Sequence, residues 1–185
     1  LVPASIGLVV LSAPITKLLF ERGAFSSYST RITSNALLYY SLGLVACGGI
    51  KILVSAFYSL KDTLTPVKVA SASLLLNIIL NMVLMGPLKA GGLALATSIA
   101  AVFNCALLYA ALRKKIGALG ISRIRKSLFK AALAGILMGL FCQWAALRIN
   151  VIANIALACG VYLGALLSLG SGELKDLLAW VLKKR

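Results

Sequence analysis

The chain has 185 residues, of which 61% are hydrophobic, and its mean hydropathy is +1.01. Soluble domains average about 45–50% apolar residues even with glycine counted, so this composition excludes a water-soluble core and indicates a membrane protein. The formal net charge of +15 does not indicate a nucleic-acid partner, because the basic residues flank apolar runs instead of forming one soluble face.

Six apolar segments are long enough to cross a bilayer as helices, which takes about 20 mostly apolar residues. They do not alternate apolar and polar residues as barrel strands do, so the pattern predicts an all-α polytopic membrane protein. The predicted spans are residues 1–20, 36–60, 66–85, 92–112, 128–147 and 151–169.

The second predicted span carries a single charge, Lys51. A charge inside a membrane segment is costly, usually faces protein or water, and often serves a function. Lys51 lies about 13 Å from Leu60 along a helix, farther than a lysine stem can snorkel. Two interpretations stay open: a cation that faces a central cavity and binds an anionic group, or a lysine that bonds neighbouring carbonyls and only fixes packing.

A compact polar turn follows this span and contains Asp62, Thr63, Thr65 and Pro66. Asp62, Thr63 or Thr65 can cap the next helix, and Pro66 suits its first position. The turn is either purely structural or part of a gate at an inner mouth.

Polar residues with helical spacing occur in the next two spans. Asn77 and Asn81 are four residues apart and share a helix face, and Thr97 and Asn104 are seven apart and do the same. The three asparagines are candidate substrate-binding residues that line a polar cavity. Alternatively, they form the interhelical hydrogen bonds that commonly join membrane helices.

The last two spans each contain a Gly-x-x-x-Gly motif, formed by Gly135 with Gly139 and by Gly160 with Gly164. Small residues at this spacing let helix backbones approach closely. The motifs predict that the two helices pack against each other through these glycines as a tight hairpin.

The tail, residues 172–185, has five apolar residues on one helical face, with acidic residues in its first turn and basic residues in its last. It is too short to span a bilayer. The pattern predicts an amphipathic helix that lies on the membrane surface.

The basic residues also predict sidedness, because cytoplasmic loops collect lysine and arginine. Residues 113–130 form the most basic connection and are therefore expected inside. Alternation then places thirteen basic residues inside and five outside, with Lys51 between them. The C-terminus is predicted to be cytoplasmic, in a multi-pass protein of a bacterial inner membrane.

No catalytic constellation is present in the sequence. Glu21 and Asp62 are the only acids before the tail, and they lie on opposite predicted faces, so they cannot act as an acid–base pair. No histidine and no Cys-x-x-Cys pair occurs, so neither a metal site nor a cofactor is expected. An enzyme is therefore not expected.

A series of motifs between Leu18 and Lys115 resembles, in order, those of the MurJ/MviN family of lipid II flippases. The first resembles the family signature F-E-R-G-A-F-x-x-x-x-T and comprises Phe20-Glu21-Arg22-Gly23-Ala24-Phe25 with Thr30. The later ones are Lys51-Ile52-Leu53, Ala56-Phe57-Tyr58, Asp62-Thr63, Thr65-Pro66-Val67-Lys68, Asn77 with Asn81, Pro87-Leu88 and Gly91-Gly92-Leu93-Ala94-Leu95-Ala96-Thr97-Ser98.

The resemblance implies a fourteen-helix, two-lobed transporter of the MOP superfamily that moves an undecaprenyl-linked peptidoglycan precursor to the outer leaflet. The chain resembles its C-terminal third. Residues 1–115 would be the end of the second lobe, and residues 127–170 the two extra helices, which in the family form a groove for the lipid tail. The resemblance implies that Lys51 adds charge to a cationic cavity suited to a pyrophosphate.

The implied partners are lipid II, membrane lipids and the N-terminal lobe of the same transporter, which this chain lacks. Six helices cannot alternate access between two lobes, so no transport is expected of this segment alone. Two alternatives stay open. One is another MOP-type exporter of a lipid-linked oligosaccharide or small solute, and the other is a non-transporting membrane scaffold.

Overall fold

The computed structural model describes residues 1–22, 25–117, 121–146 and 150–168, and every regular element in these ranges is an α-helix. The helices are α1 (Val2–Phe20), α2 (Ser27–Ser59), α3 (Leu64–Leu88), α4 (Ala90–Ile116), α5 (Ile121–Ala146) and α6 (Val151–Ser168). The chain is thus an all-α polytopic membrane protein, as its composition predicts.

Helices α1–α4 are each long and apolar enough to cross a membrane. The apolar parts of α5 and α6 for which side chains are described, Phe129–Ala145 and Val151–Ala165, are shorter. The number of six spans therefore stays a prediction. The predicted tail helix, residues 172–185, lies outside the described residues.

The helices run alternately up and down, so their ends gather at two levels. At one end, named here the Glu21 end, Lys89 Nζ lies 3.2 Å from the hydroxyl of Tyr28, and Val151 lines a groove together with Glu21. At the other, the Asp62 end, Lys115 of α4 reaches the turn between α2 and α3. The predicted sidedness depends on this alternation of helix direction.

Two small hydrophobic cores lie on either side of the α1–α2 pair. One joins α2 to α4 and is centred on Phe57, Leu108 and Leu112. The other joins α1, α5 and α6 and is formed by Leu11, Met138, Cys142 and Ala158. Helix α4 also packs against α3. The helices therefore pack side by side in a row, and the α5–α6 hairpin packs against α1.

Several helix starts differ from the prediction, and α5 begins at Ile121, seven residues before its predicted span. Helix α2 begins at Ser27, nine residues before the apolar run, because Ser26 caps it by accepting a hydrogen bond from Ser29 N and polar residues form its first turns. Helix α3 begins at Leu64, so Pro66 is its third residue and not its first. A proline still fits there, since the first-turn N–H groups have no partner inside the helix.

The glycine motifs do not join α5 to α6 as predicted. A Cβ atom on Gly139 would lie 3.0 Å from Ile6 Cγ2 of α1, and one on Gly135 would collide with Ile6 Cδ1. No atom of the described chain lies within 4 Å of a Cβ on Gly160 or Gly164. Helices α5 and α6 do pack against each other, so the prediction is wrong only in assigning their contact to the glycines. The spacing places two glycines on one face but does not say which neighbour that face meets.

Candidate functional site

A groove of about 330 Å³ lies between α3 and α4, beside α2, and is named here the polar groove because four of its nine lining residues are polar. Three of the predicted polar residues, Asn77, Thr97 and Asn104, line it together. Asn77 comes from the middle of α3, and the other two come from one face of α4, two turns apart. The face of α3 that carries Asn77 and the face of α4 that carries Thr97 and Asn104 therefore face each other.

The asparagines in this region retain hydrogen-bonding capacity. Asn81 Nδ2 donates to Asn77 Oδ1 at 2.9 Å, so the two residues four apart bond along α3 and not across helices. The amide oxygens of Asn81 and Asn104 are buried and accept no hydrogen bond from the described residues. A buried acceptor without a partner is costly, so these two oxygens are polar groups whose hydrogen bonding the described contacts leave incomplete.

Lys51 lies at the level of this groove but does not line it. Its neighbour Ile50 lines the groove, whereas the Lys51 side chain is exposed on the surface of the described bundle. Within the described residues it makes no hydrogen bond or ion pair. At this depth a bare cation in lipid would be costly, so the position of Lys51 favours a polar surrounding supplied from outside this chain.

The turn at the Asp62 end is held to the end of α4 by a set of contacts named here the Asp62 clamp, formed by Asp62, Thr65 and Lys115. Asp62 accepts hydrogen bonds from Thr65 N at 3.0 Å and Thr65 Oγ1 at 2.7 Å, and its Oδ2 pairs with Lys115 Nζ at 2.7 Å. The hydrogen bond from Lys115, followed by those from Thr65, holds the pKa of Asp62 well below its usual range. Asp62 caps α3, while Thr63 makes no side-chain cap bond.

At the opposite end, Thr30 Oγ1 donates to Glu21 Oε2 at 3.1 Å. This bond ties the end of α1 to the start of α2 and joins two residues of the Phe-Glu-Arg-Gly-Ala-Phe signature region. Glu21 and Asp62 lie at opposite ends of the bundle, as predicted. Within the described residues, no three His, Cys, Asp or Glu side chains are placed to hold a metal ion.

Sequence reasoning missed one buried polar residue, Asn154 of α6. Its side chain is fully buried, and Nδ2 donates to the carbonyl of Cys142 on α5 at 3.0 Å. The signal in the sequence is a lone asparagine early in an otherwise apolar helix. Sequence reasoning also missed Lys115 as the partner of Asp62, because 53 residues separate them.

These elements define a class: a polytopic helical membrane protein with a polar groove between its spans. The sequence profile described as "Lipid II flippase MurJ" matches residues 1–157, which is most of the chain. The chain belongs to the MurJ lipid II flippase family.

Individual relatives agree with this assignment. A probable lipid II flippase MurJ of Vibrio cholerae is 35% identical over 96% of this chain and 36% of its own length. The lipid II flippase MurJ of Burkholderia cenocepacia is 34% identical over 89% and 34%. A solved structure of lipid II flippase MurJ in an inward closed conformation matches 96% of this chain with a TM-score of 0.79 and 30% identity. The chain spans about a third of the length of these relatives.

Proposed function

We propose that this chain forms the C-terminal part of a transporter that flips lipid II, the undecaprenyl-pyrophosphate-linked peptidoglycan precursor, across a bacterial inner membrane. The observation that carries the proposal is the family match over residues 1–157. The remainder of the transporter, with its N-terminal lobe, supplies the other side of the cavity. The chain acts in transport and has no catalytic role.

Lys51 contributes positive charge to the cavity and attracts the pyrophosphate of the substrate. Two features support this role: the side chain is exposed at membrane depth, and it has no partner within the described residues. Asn77 and Asn104 line the adjoining groove, and Asn81 is hydrogen-bonded to Asn77; we assign the polar contacts of the substrate to these three asparagines.

The turn residues Asp62, Thr63, Thr65 and Pro66 belong to the inner mouth, which follows from the predicted sidedness with a cytoplasmic C-terminus. The Asp62–Lys115 pair lies inside this chain and joins the α2–α3 turn to the end of α4. These helix ends therefore move as one unit when the mouth opens. Residues 1–115 act as the lobe portion, residues 127–170 as the extra hairpin and residues 172–185 as a surface helix.

A chimera tests the proposal. The matching segment of the Vibrio cholerae relative is replaced by this chain, and the product is the only flippase copy in its host. We expect growth and exposure of lipid II on the outer leaflet. Lys51→Ala abolishes both, Lys51→Arg keeps the cation and retains them, and Lys68→Ala, which removes an exposed lysine near the Asp62 end, leaves them unchanged.

Normal growth of the Lys51→Ala chimera at unchanged protein level would refute the role of Lys51. A chimera that is made at the normal protein level but supports neither growth nor exposure of lipid II would contradict the proposal and favour the alternatives, another MOP-type exporter or a membrane scaffold without transport.

A further inference from the structure

A second groove, of about 700 Å³, lies at the Glu21 end of the bundle, where α1 ends and α2 and α6 begin. It is open to the surroundings and is separate from the polar groove between α3 and α4. Eight residues of these three helices and of the segment after α1 line it: Ala13, Pro14, Lys17, Leu18, Glu21, Arg22, Thr30 and Val151.

The charged residues of this groove are not balanced by one another. The side chains of Lys17 and Arg22 are exposed, and neither makes an ion pair or hydrogen bond within the described residues. Glu21 is the one acid in the lining, and it accepts a hydrogen bond from Thr30 instead of pairing with either cation. Two cations therefore remain available to an anionic ligand.

The start of α6 adds to the positive potential. Val151, the first residue of this 18-residue helix, lines the groove, and the first hydrogen bond at this end runs from Asn154 N to Asn150 O. The N–H groups before Asn154 have no carbonyl partner inside the helix, and the N-terminus of a helix carries a partial positive charge. Lys17, Arg22 and the N-terminus of α6 therefore each contribute positive potential to this groove.

The rest of the lining is apolar and runs along the helices. Ala13, Pro14 and Leu18 of α1 together with Val151 form a wall next to the cations. A ligand that fits must therefore have an anionic head and a hydrocarbon tail. Basic pockets between membrane helices are known to bind lipid phosphate headgroups, and this groove has the same combination of cations and apolar helix surface.

We propose that this groove binds the phosphate headgroup of a membrane lipid, with Lys17 and Arg22 contacting the phosphate and the α1 wall contacting the hydrocarbon chain. With the sidedness proposed above, the lipid belongs to the outer leaflet. Two sources have this chemistry: an anionic phospholipid of the bulk membrane, or a polyprenyl pyrophosphate that has arrived in that leaflet.

Native mass spectrometry of the detergent-solubilised chain tests the site. The chain is titrated separately with phosphatidylglycerol, with phosphatidylcholine and with undecaprenyl pyrophosphate. We expect the double variant Lys17→Gln/Arg22→Gln to bind phosphatidylglycerol at least about tenfold more weakly than the unaltered chain. Binding of zwitterionic phosphatidylcholine should be weak and should not change.

The matched control is Arg31→Gln/Lys89→Gln, which removes two charges from the same end of the bundle but none from the groove lining. It should change phosphatidylglycerol binding by less than about twofold. Stronger binding of undecaprenyl pyrophosphate than of phosphatidylglycerol, lost in the groove variant alone, identifies the transported lipid as the source. The reverse preference identifies a bulk phospholipid.

Equal losses in the two double variants, or no loss in either, would overturn the proposal, because then the net charge and not the groove determines binding. The phosphatidylglycerol titration does not depend on transport, so its outcome is separate from the chimera test. Repeating it with the full-length chimera adds a further criterion: unchanged binding by its groove variant would mean that protein fills the groove, and would also overturn the proposal.

Discussion

The α2–α4 region and the α5–α6 hairpin are held in the bundle by different kinds of contact. In the first region backbone approaches backbone: a Cβ on Gly43 would lie 2.8 Å from Ser98 Cα, and a Cβ on Gly92 would collide with the carbonyl of Leu84. In the hairpin region a side chain fills the space, since Ile6 of α1 lies against Gly135 and Gly139.

Hydrogen bonds differ between the regions in the same way. Ser98 Oγ donates to the carbonyl of Tyr39 at 2.6 Å and reinforces the close approach of α4 to α2. The hairpin relies on the bond from Asn154 to Cys142, which lies among apolar side chains. The comparison teaches that the close approach of helix backbones occurs in the region without Gly-x-x-x-Gly motifs, whereas the glycines of the α5 motif face a side chain.

The largest effect that tests this difference is expected at Gly92. The variant Gly92→Ala should lower the free energy of unfolding by about 2–3 kcal/mol, because backbone atoms of α3 cannot move aside as a side chain can. The measurement is the unfolding midpoint in mixed detergent micelles. Gly86→Ala is the control, since a Cβ there meets no atom within 4 Å. Equal destabilisation by both variants would remove the contrast between the regions.

Asn154 provides a test of the hairpin. The variant Asn154→Ala should cost about 1 kcal/mol, because it removes the bond to the Cys142 carbonyl in a membrane environment where such bonds contribute modestly. Asn154→Leu should be tolerated better, since it fills the volume and also removes an amide oxygen that has no partner. Cys159→Ala, at an exposed position of the same helix, is the control. A neutral Asn154→Ala would mean that packing alone holds α6.

The Asp62 clamp should give a smaller effect that is confined to acid. The folded-state pKa of Asp62 lies below its unfolded value of about 3.9, so its stabilisation is present above that pH and is lost as the pH falls further. Unfolding midpoints measured between neutral pH and pH 3 should fall less steeply in Asp62→Asn than in the unaltered chain. Identical pH profiles would show that the pair with Lys115 does not contribute.

The smallest effect is expected at the glycines of α6. The variants Gly160→Ala and Gly164→Ala should leave the free energy of unfolding unchanged or raise it by at most about 1 kcal/mol, because both positions are open in the described chain and alanine is the better helix former. The measurement is again the unfolding midpoint in mixed detergent micelles. A loss of more than about 1 kcal/mol would mean that another helix backbone lies against α6 and that its motif has a partner after all.

Local patterns were sufficient for much of the fold. The apolar runs placed all six described helices, and the polar turn offered Asp62, Thr63 and Thr65 as caps, of which the structure shows Asp62 accepting the bond from Thr65 N. Local patterns failed at the start of α2. Its first turns are polar and give no hydropathy signal, although Ser26 caps the helix there. Hydropathy marks where a helix lies in lipid, whereas hydrogen bonding determines where it begins and ends.

The candidate site was predictable only in part. Helical spacing placed Asn77 and Asn81 on one face of α3 and Thr97 and Asn104 on one face of α4, and the structure brings Asn77, Thr97 and Asn104 to one groove. Nothing in the sequence indicated that Lys51 lies outside that groove. The direction of a side chain around a helix axis is set by packing against distant helices, which no local pattern contains.

The sequence by itself determined the membrane class, the order of the helices, the polar turn at Asp62 and the family, because each depends on residues close together in the chain. Only the tertiary structure decided that Asp62 pairs with Lys115, that Gly135 and Gly139 meet α1, and that Lys17, Arg22 and Val151 line one groove. These facts depend on how each helix is rotated against its neighbours. That rotation is a property of the packed bundle and not of any one segment.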